Sequence, residues 1–215
     1  MINSANSKNH SLERFRKRTI ILHWVHTGAF LILAVTGAIM LLQEDVYSNS
    51  YIAHFLHRAA AVVFIAVPVL GYFITPRSSN GFIKESLKFG SEDVKWIAAA
   101  PDYYFGGPEE RMPPQGRLNS GQKFWQLVVI VTGLMFVITG IPLWIFKFNL
   151  PVSAYEWILF VHGIAFVIVF VMLLLHVYLA LFHPRFKESI SSMTNGQISS
   201  TYARTHYRKW YEKQP

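Results

Sequence analysis

The fold is decided by residues 155–182, YEWILFVHGIAFVIVFVMLLLHVYLALF. Glu156 is the only acidic or basic charged residue in this run, and about 20 apolar helical residues cross the roughly 30 Å hydrocarbon core of a bilayer. The run is apolar nearly all round, unlike a soluble amphipathic helix. It nevertheless contains His162 and His176, and ionisable residues inside a membrane point to a function. The run therefore predicts a membrane-spanning helix with functional histidines.

Three further runs of the same kind lie near residues 19–42, 52–75 and 124–146. The composition agrees, because 52% of the 215 residues are hydrophobic and 15% are charged, whereas about a quarter of a soluble domain is charged. The first run follows a basic polar segment and lacks a small-residue cleavage site, so we expect it to be retained in the mature protein. The pattern predicts an all-α integral membrane four-helix bundle that forms a single domain.

The Lys and Arg residues are distributed unevenly among the segments outside the membrane. Eighteen of the 20 precede the first run or lie in the loop of residues 76–123 or the tail of residues 183–215. The loop of residues 43–51 contains Glu44 and Asp45 and neither Lys nor Arg. Because cytoplasmic loops carry excess Lys and Arg, we expect both termini in the cytoplasm and the chain in a bacterial inner membrane. The net charge of +8 then reflects topology, and no nucleic-acid partner is expected.

The long loop and the tail have weaker patterns. Residues 92–97 predict a short helix at the membrane interface, and the Pro- and Gly-rich residues 101–116 predict irregular structure. A short amphipathic piece is expected around residues 202–210. The sequence leaves open whether the loop and the tail are solvated or contact a partner.

Four histidines have matching depths in this topology. His23 and His176 lie near the cytoplasmic face, and His57 and His162 lie at the periplasmic level. His162 and His176 are fourteen residues apart, which corresponds to a rise of roughly 21 Å and a rotation that returns within about 40° of its start. The depths therefore predict two bis-histidine sites, His57 with His162 and His23 with His176, stacked across the membrane.

Two haems b fit these sites better than the alternatives. The chain has no cysteine, which excludes iron–sulfur ligation and covalent c-type haem. Zinc usually takes three or four protein ligands, whereas each level offers two. The spans contain almost no carboxylates for a proton relay. Arg58, next to the periplasmic pair, is expected to bind a haem propionate, or alternatively to reach lipid headgroups.

The other histidines are weaker candidates. His26 and His54 each lie three residues from a predicted ligand and share its helix face, so each remains an alternative, although the sequence favours His23 and His57. His183, at the end of the fourth run, is expected at the interface and not at iron. His10 and His206 lie in polar tails and are expected to need no special role.

Several short motifs together resemble one known family, the cytochrome b (gamma) subunit of membrane-bound formate dehydrogenases of the formate dehydrogenase-N type. The resemblance covers about residues 18–210. The matching motifs are His23-Trp24, Leu56-His57, Asn119-Ser120-Gly121-Gln122-Lys123, Val161-His162 and Leu175-His176-Val177-Tyr178, with residues 202–206 and 209–211 of the tail. The spacing of the two histidines in the fourth run and the Asn-x-Gly-Gln-Lys element are the specific features.

The resemblance implies both cofactor and quinone sites. In that family the four matching histidines hold two haems b in the pairs given above. The Asn of the Asn-x-Gly-Gln-Lys element lies at a menaquinone site beside the cytoplasmic haem. Carried over, this site consists of Asn119, with Gly121, Gln122 and Lys123 near it and His176 adjacent. A polar start to the third run, capped by Asn119 or Ser120, also explains the element, and both explanations hold together.

The resemblance also implies partners. A periplasmic alpha subunit containing molybdenum or tungsten oxidises the substrate, and an iron–sulfur beta subunit passes electrons to this chain. The family assembles as a trimer of such three-subunit units. The alternatives are the cytochrome b subunit of a nickel–iron hydrogenase or of another periplasmic oxidoreductase such as thiosulfate reductase. A haem-free membrane anchor or transporter is the alternative from another class.

Overall fold

The computed structural model describes residues 10–42 and 50–214. Within these ranges the helices and strands, in chain order, are β1 (Ser11–Glu13), α1 (Lys17–Leu42), α2 (Ser50–Ile74), α3 (Pro76–Leu87), α4 (Ser91–Tyr104), α5 (Ser120–Ile145), α6 (Val152–Val177), α7 (Lys187–Thr194), β2 (Gln197–Ser199), α8 (Ser200–His206) and α9 (Arg208–Tyr211). Short 3-10 turns lie at Glu109–Arg111 and Pro184–Phe186, and one π-helical turn follows α6 at Tyr178–Phe182.

Four of these helices, α1, α2, α5 and α6, are long and apolar enough to cross a membrane. The predicted all-α membrane protein with four spanning helices is confirmed. Each helix begins two to four residues before its apolar run, because the first turn of a helix tolerates polar residues that a hydrophobicity pattern excludes. Residues 43–49 and Lys8, which contribute to the charge pattern used to predict the topology, lie outside the described residues.

The chain forms two compact units. Among the described residues, the membrane unit comprises 18–42, 50–80 and 128–175, and the loop-and-tail unit comprises 10–17, 81–127 and 176–214. In the membrane unit, small residues occupy much of the interior, among them Ala29, Ala60 and Ala165. Small residues let membrane helices approach closely. Most large apolar side chains of these helices are exposed, as expected for a surface that faces lipid.

The loop-and-tail unit joins the two ends of the chain. Strands β1 and β2 pair antiparallel, with Leu12 opposite Ile198. The buried tail residues Ile198, Tyr202, Ala203 and Tyr207 form one apolar cluster, against which Leu12, Trp210 and Tyr211 pack. The tail therefore folds onto the chain's own N-terminal segment. The two strands are the only β-structure in the described residues.

The long loop contains more helix than the sequence predicted, and one prediction for it was wrong in part. Residues 76–87 form the helix α3, which begins at Pro76, because the fixed φ of proline suits the first helical position. The helix expected at residues 92–97 is confirmed but longer, since α4 runs from Ser91 to Tyr104. It passes through Pro101, so the first residues of the segment predicted to be irregular are helical.

Candidate functional site

His57 on α2 and His162 on α6 face each other inside the membrane unit. Their ring centroids are 6.4 Å apart, and the ring planes are inclined at 53°. Phe136 packs against the His162 ring at 5.0 Å. Among the described residues no group of three or more His, Cys, Asp or Glu is placed to hold a metal ion. The pair is therefore a two-ligand arrangement, unlike the three- or four-ligand sites that zinc prefers.

Each of these rings is held by a threonine of the preceding membrane helix. Thr36 Oγ1 on α1 lies 2.9 Å from His57 Nδ1, and Thr139 Oγ1 on α5 lies 2.7 Å from His162 Nδ1. Each hydroxyl donates its own proton to a backbone carbonyl one turn earlier, Ile32 O or Met135 O, at 2.6 Å. The threonine oxygen is therefore an acceptor for the ring, and both histidines carry their proton on Nδ1.

A glycine follows each threonine in the sequence and lies next to the histidine ring that the threonine contacts. A Cβ added to Gly37 would lie 3.4 Å from His57 Cε1, and one added to Gly140 would lie 3.6 Å from His162 Cε1. Among the described residues no side chain other than the histidine comes within 4 Å of either position. The space beside both rings is thus open, and a side chain at either glycine would begin to fill it.

The other membrane histidines have different surroundings. In the membrane unit, His23 meets Trp24 edge-on at 5.2 Å, and His26 stacks on Phe64 at 4.2 Å. The Nδ1 atoms of His23 and His26 are both buried and make no hydrogen bond within the described residues. In the loop-and-tail unit, His176 stacks on Trp125 with ring centroids 4.9 Å apart and planes inclined at 11°. The pairing of His23 with His176 therefore stays a prediction from the sequence.

Arg58, the predicted propionate ligand, is exposed next to His57. Its guanidinium lies 5.9 Å from the ring of Trp144, within cation–π distance. This contact leaves its donors accessible to an acidic group, so its role toward a propionate stays a prediction.

The Asn-x-Gly-Gln-Lys element forms the beginning of α5. Asn119 Oδ1 accepts the backbone N–H of Gln122 at 2.8 Å, and Gln122 Oε1 accepts the backbone N–H of Asn119 at 3.2 Å. This reciprocal pair is a capping box with Asn119 as the N-cap. Trp96 covers Gly121 so closely that an added Cβ would lie 3.0 Å from the indole. The capping explanation of the element is thus correct for Asn119.

A buried ion pair holds α5 against α4. Lys123 Nζ lies 2.8 Å from Asp93 Oδ1, and both side chains are nearly inaccessible to solvent. Ser120, fully buried, donates its hydroxyl to the same carboxylate at 2.7 Å. Burial alone would raise the pKa of the Asp93 carboxyl, but Lys123, Ser120 and the backbone N–H of Gly90 hold that pKa below its usual value. Asp93 is therefore ionised at neutral pH.

Gln122 connects α5 to both ends of the chain. Its Oε1 accepts Arg14 Nη2 at 3.2 Å, and its Nε2 donates to the hydroxyl of Tyr207 at 3.2 Å. Arg14 is buried, with its guanidinium carbon 3.5 Å above the ring of Tyr207. Both the oxygen and the nitrogen of the Gln122 side chain thus make internal hydrogen bonds.

His206 was expected to need no special role, and this prediction was wrong. Its Nδ1 is 2.9 Å from the hydroxyl of Tyr103, and its ring packs on Tyr202 with centroids 4.1 Å apart. Burial, reinforced by the positive charges of Arg14 and Arg185, lowers the pKa of His206 to about 4. The polar composition of the tail did not indicate this role, because the hydrogen-bond partner Tyr103 lies 103 residues away in the sequence.

His183 has both ring nitrogens occupied. Nδ1 accepts the backbone N–H of Arg185 at 3.3 Å, so the ring proton is on Nε2, which donates to the carbonyl of Tyr104 at 3.2 Å. No ring nitrogen is left for iron, which agrees with the expectation that His183 is not a ligand.

A model of the prokaryotic cytochrome b561 family matches residues 14–196 of the chain. This chain belongs to that family. The cytochrome b556(fdo) subunit of formate dehydrogenase from Escherichia coli (strain K12) is 24% identical over 214 residues, which cover 94% of this chain and 93% of the relative. The nitrate-inducible cytochrome b556(Fdn) subunit of the same organism is 22% identical over 200 residues, covering 89% and 86%. The formate dehydrogenase cytochrome b556 subunit of Haemophilus influenzae is 22% identical over 214 residues, covering 94% and 82%.

These findings confirm the resemblance to formate dehydrogenase cytochrome b subunits. They also make the chain a multi-pass membrane protein for which haem b is the implied cofactor. Homologues of this kind imply a complex with other formate dehydrogenase subunits.

The histidine pair of this cytochrome b561 family member fits one iron between its rings. A metal–imidazole bond is about 2.0–2.1 Å long, and a five-membered ring with bonds of about 1.33 Å places each atom about 1.1 Å from the ring centre. Two imidazoles on opposite sides of one metal thus have ring centres about 6.2–6.4 Å apart. The observed separation is 6.4 Å, and Nε2 is the nitrogen left free on each ring.

Sequence reasoning missed Thr36 and Thr139, the residues that orient this pair. The available signal was the dipeptide Thr-Gly, which occurs twice in the first apolar run, at residues 27–28 and 36–37, and twice in the third, at residues 132–133 and 139–140. Nothing in either run alone shows which histidine its threonine contacts, because the partners are 21 and 23 residues away.

Proposed function

We propose that this chain is the membrane cytochrome b subunit of a respiratory formate dehydrogenase, which carries electrons across the inner membrane to menaquinone. The observation that supports this most directly is the His57–His162 separation of 6.4 Å, the spacing that one iron between two imidazoles requires. The formate dehydrogenase cytochrome subunits that match nearly the whole chain support the choice of enzyme. Haem b supplies reversible one-electron transfer when bound.

In this proposal His57 and His162 hold the outer haem, and His23 and His176 hold the inner one. The chain's residues orient the imidazoles, exclude water and keep two positions for electrons at different depths of the membrane. An iron–sulfur subunit on the periplasmic side delivers electrons, which a molybdenum- or tungsten-containing subunit has taken from formate. Because electrons move inward and protons are taken up from the cytoplasm, turnover contributes to the proton-motive force.

The proposed quinone contact is the side-chain amide of Asn119. In the same element, Gln122 is committed to Arg14 and Tyr207, and Lys123 is committed to Asp93. The Oδ1 atom of Asn119 is used in the capping box, whereas its Nδ2 makes no hydrogen bond within the described residues. An amide N–H₂ group is a suitable donor to a quinone carbonyl. We therefore assign Gly121, Gln122 and Lys123 to holding this amide in place.

The haem proposal is tested by a reduced-minus-oxidised spectrum and a haem determination on the purified complex. We expect a b-type spectrum with two haems per chain. His162→Ala and His57→Ala should each remove one haem, because one imidazole no longer completes the site. His54→Ala, the matched control one turn from His57, should retain both. A haem content near one in the wild-type chain, or full content in His162→Ala, would contradict the assignment.

The quinone proposal needs a variant that keeps the helix cap. Asn119→Ser and Asn119→Asp both retain an oxygen acceptor at the N-cap and remove the amide donor. We expect both to keep two haems and normal thermal stability, and to lose most quinone reduction. Reduction of the haems by formate should remain, which places the defect after the haems. Normal turnover with quinone in both variants would refute a direct contact by Asn119.

A further inference from the structure

We propose that Thr36 and Thr139 are positioning residues that fix both outer ligands in the Nδ1–H tautomer and thereby lower the redox potential of the outer haem. This inference rests on the proposed function, because it requires iron between His57 and His162. It assigns to the two threonines an effect on electron transfer that is additional to the choice of histidines as haem ligands.

The tautomer follows from the direction of the hydrogen bonds. Thr36 and Thr139 are both buried, at 4% and 6% exposure. Each hydroxyl has a single proton, and a 2.6 Å contact to the carbonyl one turn earlier shows where that proton points. The same oxygen then offers only lone pairs to the imidazole, so Nδ1 must donate. The Nε2 atom of each ring is left unprotonated, which is the form that binds iron.

The same hydrogen bond changes the strength of the ligand. An imidazole that donates its second N–H to an acceptor becomes a more basic ligand. A more basic pair of histidine ligands would stabilise the ferric state of a bound haem relative to the ferrous state, and hydrogen bonding around a haem is one of the means by which a protein sets its potential. Since both ligands have the same arrangement, their effects act in the same direction.

His23 provides the contrast. Its Nδ1 is buried and has no hydrogen-bond partner within the described residues, so the proposed inner ligand lacks the support that both outer ligands have. Lowering the potential of the outer position, which electrons from the periplasmic side reach first, makes their onward transfer more favourable. The threonines thus favour inward transfer, which otherwise proceeds against the membrane potential.

The test uses isosteric variants in the full complex. Thr36→Val, Thr139→Val and the double variant remove the acceptor oxygens and keep the side-chain shape. Thr132→Val is the matched control, because Thr132 is also buried on α5 and donates to the carbonyl one turn earlier, Val128 O at 2.7 Å, without a histidine contact. A potentiometric titration followed at the b-type absorbance band resolves the two haems, and the component lost in His162→Ala identifies the outer one.

We expect the outer component to shift to higher potential in each single variant and further in the double variant, while the inner component stays unchanged. Thr132→Val should move neither. Thr36→Ser and Thr139→Ser should restore the wild-type potential, because the hydroxyl returns. An outer potential in the double variant equal to that of Thr132→Val overturns the inference, as does an equal shift of both components.

The outcome remains decisive if a valine variant loses haem. Serine variants that then retain haem at the wild-type potential support the hydroxyl as the active feature. Serine variants that lose haem as the valine variants do would show that the hydroxyl is not sufficient to hold the site, and would overturn the inference. The absence of two haems from the wild-type chain would instead refute the proposed function, so the two failures are distinguishable.

Discussion

Removing one member of the Asp93–Lys123 pair should destabilise the loop-and-tail unit strongly. The two side chains are only 9% and 12% exposed, and their charged atoms are 2.8 Å apart. Asp93→Asn keeps the shape of the side chain but leaves the Lys123 ammonium buried without a counter-charge. Because the pKa of Asp93 is held below its usual value, the wild-type pair is charged at neutral pH and the substitution removes a full charge.

The expected cost can be estimated from the burial of the pair. Breaking a buried ion pair by removing one partner costs about 3–5 kcal/mol, whereas replacing both partners with uncharged residues is often close to neutral. For a chain of this size, each kcal/mol lowers the melting temperature by about 2–4 °C. Asp93→Asn and Lys123→Met should therefore each lower it by about 6–20 °C. The double variant should recover most of that loss.

The assay is thermal unfolding of the purified complex, followed by tryptophan fluorescence, because Trp96 is 5% exposed in the same unit. The control is Glu212→Gln, which breaks the exposed pair of Arg208 and Glu212 and should cost at most about 0.5 kcal/mol. A double variant as unstable as the sum of the two single variants would refute the reasoning. Quinone reduction by a stable double variant also tests the direct role first predicted for Lys123.

Three further predictions concern single side chains. Gly37→Ala and Gly140→Ala should each lower the haem content per chain, because the new methyl group enters the open space beside a histidine ring. Gly81→Ala on α3 is the control and should not lower it, because an added Cβ there has no atom within 4 Å. Because the pKa of His206 is lowered to about 4 in the folded chain, the unfolded chain takes up a proton on this histidine first as the pH falls. The contribution of His206 to the free energy of unfolding is therefore fully present above about pH 6.5 and falls by about 3 kcal/mol as the pH drops toward 4. His206→Gln should flatten this pH dependence in melting curves. Gln122→Leu should lower the free energy of unfolding by about 1.5–3 kcal/mol, because the buried guanidinium of Arg14 loses a hydrogen-bond acceptor. Chemical denaturation measures this change.

The membrane helices were predictable because the bilayer imposes a strict local rule. Every backbone polar group in the hydrocarbon core must be satisfied within a helix, so a long apolar run has one available structure and its length can be counted. The beginning of α5 shows the limit of this rule. The apolar run starts at Phe124, but the helix starts at Ser120, since Asn119 and Gln122 satisfy the first backbone N–H groups with polar side chains.

The loop-and-tail unit was largely unpredictable for the opposite reason. The pairing of Leu12 with Ile198 joins the two ends of the chain, and no local pattern in a strand of three residues specifies so distant a partner. Tyr202 and Tyr207 lie between Arg and Lys residues and have the composition of a solvated tail, yet both are buried. Tyr207 is covered by Arg14, whose guanidinium lies on its ring.

The candidate site lies between these two cases. Helix geometry and charge distribution suggested the pair His57 and His162, because depth in a membrane helix follows directly from residue number. Which way each ring faces, and which nitrogen carries the proton, depends on Thr36 and Thr139, and that information is not local. The role of the two threonines is visible only in the folded chain, where each contacts one histidine ring of another helix.

The two threonine contacts also explain how a site with only two protein ligands can be well ordered. Thr36 on α1 holds His57 on α2, and Thr139 on α5 holds His162 on α6, so each ring is fixed by the membrane helix that precedes its own. Ordering a side chain at a binding site costs about 0.5–1.5 kcal/mol, and here the hydrogen bonds order both rings without a metal. The two helix pairs are alike in residue type, in sequence separation and in the direction of each hydrogen bond. Iron between the rings would therefore join two helix pairs whose imidazoles are already ordered with centres 6.4 Å apart, which lowers the entropic cost of binding.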